Sequence, residues 1–472
     1  MRPLKTIIVG GGPAGMGCAY RLSKAGYPFV LIDENNEAGG LCRTINFHGY
    51  LFDIGGHRFL SKYEEINRLW REIMKDDLIS VKRLSRIYYK KRYFNYPLSF
   101  LNTFWNLGPL ESVMCVTSYL QCRWLQPGDD TTFEGWIVNR FGRRLFNTFF
   151  KTYTEKVWAM DCQDISADWA RQRIQGLSLR VALQKAIGGM RHNSPKTLSE
   201  TFLYPRTGPG EFYRRLHDAT KSYERKFQFN SRVKRIYHNG NRITAAEIQK
   251  HNETSTETTP LDYLFSSIHL PVFINLLSPA PDKEILLSAQ RLQFRSFLVV
   301  NIILDKEHLF PDQWIYVHSP EVTMGRIQNY KNWSPAMVVD AKKTSLGLEY
   351  FCSENDTLWN MSDIDLIRHA MGELEKIGIV SRKHLINGFV VRAPNVYPIY
   401  TLDYQKHVNT ILDYLCQFSN FKTMGRMGLF RYDNSDRSLL TGMYAAEDFI
   451  KTSGNNSARV NYNLDEYTAP SQ

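Results

Sequence analysis

At 472 residues, with 43% apolar and 13% aromatic side chains, the chain is long enough for two or three domains with large buried cores, and no segment is biased enough to stay disordered. Its net charge of +12 is spread along the chain without a recognised nucleic-acid motif, which excludes nucleic acid as the expected partner and leaves an anionic substrate or peripheral contact with a phospholipid surface. The seven cysteines are scattered and form neither a disulfide framework nor a metal set, no apolar run reaches about 18 residues, and strand-like residues begin within a few positions of Met1, so a cytoplasmic protein with no membrane span and no metal is expected.

The first element is "KTIIVG", read as a buried parallel strand, followed by the helix "PAGMGCAYRLSKAG" and the second strand "PFVLID". Between strand and helix, Gly10, Gly12 and Gly15 form G-x-G-x-x-G: a tight turn, room for backbone to approach a pyrophosphate, and close helix–strand packing. The helix N-terminus turns unpaired N–H groups toward those phosphates. Asp33 closes the second strand eighteen residues after Gly15, where a carboxylate accepts from ribose hydroxyls and disfavours a 2′-phosphate. This unit predicts dinucleotide binding.

NAD or FAD is decided further on. In "ENNEAGGLCRTINFHGYLFDIGGHRFLS", Gly39, Gly40 and Arg43 stand where flavoproteins resembling the amine oxidases carry a loop around the pyrophosphate, and a second glycine pair, Gly55 and Gly56, follows. A simple NAD dehydrogenase needs no such segment, so FAD is expected. Next, "VKRLSRIYYKKRY" alternates as a half-exposed strand does. "VKRIYHNGNRITAAEI" reads as a hairpin around Asn239-Gly240, "KHNETSTETTP" as a surface loop and "YLFSSIHLP" as another buried strand. "SFLVVNIIL" and "MGRIQNY" belong to an antiparallel substrate sheet. At the far end, "MGRMGLFRYDNSDRSLLTGMYAAEDFI" places Gly425 and Arg426 before a strand, then polar turn residues, then a helix returning to the flavin.

The fold class expected is therefore α/β mixed with α+β. A discontinuous, doubly wound FAD domain takes residues 1–80, 199–270 and 410–472; a helical insertion takes 101–198; a mainly antiparallel substrate sheet takes 81–100 and 271–409. The flavin is expected where the three meet.

Collinear motifs give a specific resemblance. "GGHRFLS", "YKKRYFNYPLSFLNTF", "FGRRLFNTFFKTYTEKVW", "MGRIQNYKNWS", "LGLEYF" and "GRMGLFRYDNSD" follow one another as the motifs of the UDP-galactopyranose mutase family do, within the amine oxidase and protoporphyrinogen oxidase-like FAD superfamily. The resemblance implies that His57 comes to the flavin and that Arg326 and Arg173 carry charge in the active site. It implies cofactor contacts at Gly56, Val233, Gly425, Arg426 and Asp436, and substrate contacts at Trp158, Arg173, Arg326, Tyr350, Tyr397 and Tyr432. A diphosphate favours Arg, whose fork grips two oxygens at once. The chain departs from the family at Val157, Phe430, Asn434-Ser435 and Asn332-Trp333, mostly near the substrate side.

Two function classes follow. The first is an isomerase in which reduced FAD attacks the sugar of a UDP-sugar and interconverts pyranose and furanose rings, in cell-surface polysaccharide or glycoconjugate synthesis. The second is an FAD-dependent oxidoreductase, like the amine or protoporphyrinogen oxidases or the desaturases, taking a hydride from a small or lipidic substrate. A flavin-binding protein without catalysis is a third. Oligomeric state is left open by the sequence.

Overall fold

The computed structural model describes residues 5–98, 100–124, 128–173, 200–222 and 224–452. Four distant pieces of chain build one parallel sheet, in the order Phe421–Thr423, Tyr263–Ser266, Thr6–Val9, Phe29–Ile32, Arg225–Gln228. Its three central strands are short, apolar and nearly all buried, as strands covered on both faces must be. The helix Pro13–Lys24 packs on one face together with the C-terminal helix Ser435–Thr452, which crosses it closely. The hairpin Ser231–His238 and Ile243–Lys250 turns at Gly240 (φ +104°) and covers the other face.

A seven-stranded sheet runs Leu385–Pro398, Phe294–Leu304, Thr344–Cys352, Arg326–Asn329, Trp314–Val317, Ser85–Tyr89, Arg92–Asn95. It is antiparallel except where Trp314–Val317 lies parallel to Ser85–Tyr89. One face packs on the helix Asp363–Lys376 through Leu366, Ala370 and Leu374. The opposite face packs, through Phe297, Val299 and Phe351, on the helical stretch from Phe133 to Ala170. The mixed α/β class matches expectation.

Three local readings are corrected. "VKRLSRIYYKKRY" is not one strand: Val81-Lys82 end the strand Leu78–Lys82, and Ser85–Tyr89 and Arg92–Asn95 form a hairpin whose turn puts Lys90 and Lys91 at positive φ. "KHNETSTETTP" is exposed, yet Thr256–Pro260 pairs as an edge strand on Ala245–Gln249, backbone pairing overriding its polar composition. Gly425 and Arg426 open a short helix, Gly425–Gly428, after the strand instead of preceding one. Among the described residues, no helix is long and apolar enough to cross a membrane.

Candidate functional site

The opening glycines form the expected cradle. Gly10 sits at φ +98°, open to few other residues. A Cβ on Gly15 would lie 1.7 Å from the Gly10 carbonyl oxygen, so helix and turn touch only because Gly15 has none. Gly12, by contrast, faces open space, with only the Gly40 Cα at 4.0 Å. The helix that starts at Pro13 has no side-chain cap and no acid in its first turn, although such donors are ordinarily satisfied. An uncapped N-terminus beside a bare glycine is a site for an anion.

The second glycine loop closes on the first. Gly39 N–H donates to the Gly11 carbonyl at 2.8 Å, and Arg43 Nε donates to the Gly40 carbonyl at 2.9 Å. Asp33 is nearly buried; its Oδ2 accepts from Gly11 N–H, and its Oδ1 accepts from the backbone and side chain of Asn35, both at 2.8 Å. Those bonds fix the carboxylate at the strand's end and leave lone pairs for ribose hydroxyls. Ser231 N–H donates to the Asp33 carbonyl at 2.9 Å, which brings the hairpin's first strand, with Val233, against the same end. The Val233 side chain itself is buried in the core below the sheet. Gly425 N–H is held by Thr441 Oγ1 at 3.0 Å. Asp436 lies in the first turn of the last helix, its carboxyl pushed up by burial against the opposing pull of the Ser61 hydroxyl. FAD is the group these residues fit: the open face at Gly12, the uncapped helix, a ribose acid and a second loop over the pyrophosphate.

His57 follows Gly55-Gly56, where a Cβ on Gly56 would meet Gln328 Nε2 at 2.7 Å. Its Nε2 donates to the Ile54 carbonyl at 2.9 Å, and Nδ1 faces the Cys42 thiol at 3.6 Å. Burial, above all, lowers the imidazole's pKa, so the ring is neutral at pH 7. The same burial pushes the Cys42 thiol up to about 12, which keeps it protonated.

Facing His57 is a charged pair that sequence reading half missed. Arg326 donates from Nε to Glu349 Oε2 at 2.8 Å and again from Nη2, while Gln328 Nε2 donates to Glu349 Oε1 at 2.9 Å. Glu349 has no exposed side chain and Arg326 keeps 19% of its own. The pairing register sets Arg326 opposite Glu349 on neighbouring strands, so both point to one face. Tyr350, one residue on, therefore points to the other face. It is fully buried there and donates to Glu373 Oε2 at 3.1 Å, so it is no substrate contact.

Aromatic rings wall the rest. Tyr397 and Tyr432 stack at 5.5 Å and 17°, and the Arg426 guanidinium lies 4.9 Å and 4.2 Å from their centroids. Arg426 donates from Nε to Val396 O at 3.1 Å and from Nη1 to Asp433 O at 3.3 Å, and its buried Nη2 has no partner among the described residues. Trp158 is buried edge-on to both tyrosines, its Nε1 equally unpartnered. Tyr153, stacked on His318 at 4.4 Å, and Tyr316, whose ring lies 5.9 Å from the Arg326 guanidinium, complete the wall; neither was singled out from sequence. The "YTEK" stretch carrying Tyr153 was the available signal for it. Lys156 instead serves the scaffold, its Nζ donating to the carbonyls of Val317, Ser319 and Met324 at 3.0–3.2 Å. Arg173 closes the helix Ala167–Arg173, and its side chain lies outside the described residues.

The parallel sheet, the uncapped helix and the second glycine loop form a Rossmann-like dinucleotide-binding unit that fits FAD. Residues 8–73 match the family model of the NAD(P)-binding Rossmann-like domain. Over 71 residues the chain is 37% identical to a 1-hydroxycarotenoid 3,4-desaturase of Flavobacterium sp. (strain P99-3), which is 15% of this chain and spans only 14% of that enzyme's length. The fold is that of UDP-galactopyranose mutase. The reduced form of that enzyme superposes with a TM-score of 0.82 over 97% of this chain and 98% of its own, at 22% identity. A putrescine oxidase variant superposes with a TM-score of 0.64 over 95% and 99%, at 13% identity.

Proposed function

We propose that this chain is a flavin-dependent isomerase that interconverts the ring forms of a nucleotide-diphosphate sugar. The observation that supports this reading most is the pair of guanidiniums, Arg326 and Arg426, which both act on His57 and on Tyr397 across one buried, tyrosine-walled cleft. A diphosphate needs such cations in a place where water competes poorly. FAD held by the Gly10–Gly15 turn, Asp33 and the Gly39-Gly40 loop would, in its reduced form, supply nucleophilic chemistry toward an anomeric carbon with no net transfer of electrons. Arg426 offers Nη2 to a phosphate oxygen, and Arg326, oriented by Glu349, offers the edge of its fork that Glu349 does not occupy. Burial raises the pKa of Tyr153 and Tyr397, so their hydroxyls stay protonated and donate. His57, its Nε2 proton committed to Ile54, shapes the wall and moves no proton at that atom. Trp158 closes the side.

One observation favours a second reading. Glu349 cancels the charge of Arg326, and an aromatic wall of lower net charge suits a neutral or lipidic donor of hydride to oxidised FAD. The experiment that separates the two incubates dithionite-reduced holoenzyme with UDP-galactose. The isomerase reading expects a ring isomer over many turnovers with the flavin still reduced. Absence of isomer, together with bleaching of the oxidised enzyme by an amine or polyene panel, would replace it with the second.

A further inference from the structure

The helices Phe100–Leu107 and Pro109–Trp124 carry apolar side chains on a face that nothing in the described structure covers. The second helix is apolar on two sides. Cys115, Tyr119 and Cys122 point inward, while Leu110, Val113, Met114, Leu120 and Trp124, at helical spacings of three, four and seven, lie on an outward side. Leu110 and Trp105 are each 75% exposed and Trp124 is 72% exposed. Single exposed apolar residues are ordinary, but five on one side of a helix, with Trp124 at its end and Trp105 exposed on the helix before it, are not.

The charge around this face selects its occupant. The turn Lys90-Lys91-Arg92 is exposed and tied to the first helix, Arg92 donating to the Asn106 carbonyl. Lys90 is close enough to the second helix to pull down the pKa of Glu111. Glu111 is the only acid in residues 100–124, and Arg144 neutralises it through Nε at 2.5 Å and Nη2 at 2.6 Å. Arg123 adds an exposed cation beside Trp124. A second copy of a chain with net charge +12 would bring more positive charge to this face, whereas an anionic bilayer complements it.

We propose that this face is a docking surface for an anionic lipid bilayer. Leu110, Val113 and the tryptophans enter the headgroup boundary, and the Lys90-Lys91-Arg92 turn lies on the phosphates, so that the helix rests in the interface plane without crossing it. The site with His57 and Arg326 plays no part, so the proposal stands apart from the isomerase reading.

The test floats the full-length holoprotein with vesicles of phosphatidylcholine alone or of phosphatidylcholine mixed with phosphatidylglycerol, whose anionic headgroups set the surface potential. Wild type is expected to float with the anionic vesicles only, and less at high salt. At roughly fivefold per basic residue near the surface, Lys90→Glu with Lys91→Glu lowers the partition coefficient by more than about tenfold. Leu110→Ser with Val113→Ser, which leaves the charge unchanged, also lowers it by about tenfold or more through lost apolar burial. Cofactor content and circular dichroism verify that both variants fold. Failure of wild type to float overturns the proposal, as does undiminished flotation of the serine variant. A wild-type dimer that the serine variant dissociates, with no vesicle binding, assigns the face to a second copy instead.

Discussion

Replacing Glu349 tests the electrostatic design of the cleft most directly. Its carboxylate has no exposed surface and accepts from Arg326 Nε, Arg326 Nη2 and Gln328 Nε2. Removing one member of a buried ion pair costs about 3–5 kcal/mol, because the other charge is stranded. Glu349→Gln keeps one acceptor oxygen, and Arg326 keeps some contact with water, so the loss falls near the low end, about 3 kcal/mol. Arg326→Met strands Glu349 in turn and costs as much or more. The double change Arg326→Met with Glu349→Gln removes both charges and is expected to return within about 1–2 kcal/mol of wild type, a coupling energy of at least about 4 kcal/mol. Urea unfolding of the flavin-saturated protein, followed by tryptophan fluorescence, reads all three. The same Glu349→Gln protein frees the guanidinium, so titration calorimetry with UDP is expected to show tighter binding than wild type. Additive losses in the double variant, or a Glu349→Gln cost below about 1 kcal/mol, would refute the buried pair and with it the assignment of Arg326's orientation.

The other predictions concern the cofactor side. Asp33→Ala strands the Gly11 N–H that now donates to the carboxylate and removes the ribose acceptor; at about 1–3 kcal/mol, FAD affinity falls roughly 5- to 150-fold, read by flavin absorbance after gel filtration. Retention of full FAD would exclude Asp33 from the site. Asp53 is buried beneath Tyr204 and Thr44, and its carboxyl is pushed up from 3.8 to about 7, burial being the main cause. The folded state therefore holds this proton more tightly than the unfolded chain does. That contribution is complete below the unfolded value and is lost as pH rises toward 7. Between pH 5 and pH 8 the wild type is expected to lose about 2–3 kcal/mol relative to Asp53→Asn, measured by urea unfolding at each pH, and a difference that does not change with pH would contradict this.

The cofactor side was legible because its constraints act on the backbone and over short spans. Gly10 and Gly15 answer to a turn and a contact within one strand–helix unit, and Asp33 sits where the next strand must end, so residue type and spacing carry the information. Elsewhere composition misled. The Thr256–Pro260 segment is polar and exposed, yet its partner strand supplies the hydrogen bonds that its side chains do not encourage. Lys90 and Lys91 seemed to continue a strand, and only their positive φ reveals a turn that lysine does not advertise.

On the substrate side the missing information was register. In "LGLEYF" the two adjacent polar residues, Glu349 and Tyr350, cannot both face the cleft, because successive side chains on a strand point to opposite faces. Which of them does so depends on how Arg326–Asn329 pairs with Thr344–Cys352, a contact between segments about twenty residues apart that no local pattern states. Had Arg326 been taken as fixed, the flanking pattern would have sufficed. Leu346, Leu348 and Tyr350 form the apolar side packed on the helix Asp363–Lys376, leaving Gly347, Glu349 and Phe351 for the cleft. The choice of Tyr350 followed its hydroxyl, but in a strand buried on both faces the ionised residue is the more informative one. Glu349 cannot sit in that sheet without a cation, so the search for its partner leads to Arg326 and from there to the cleft.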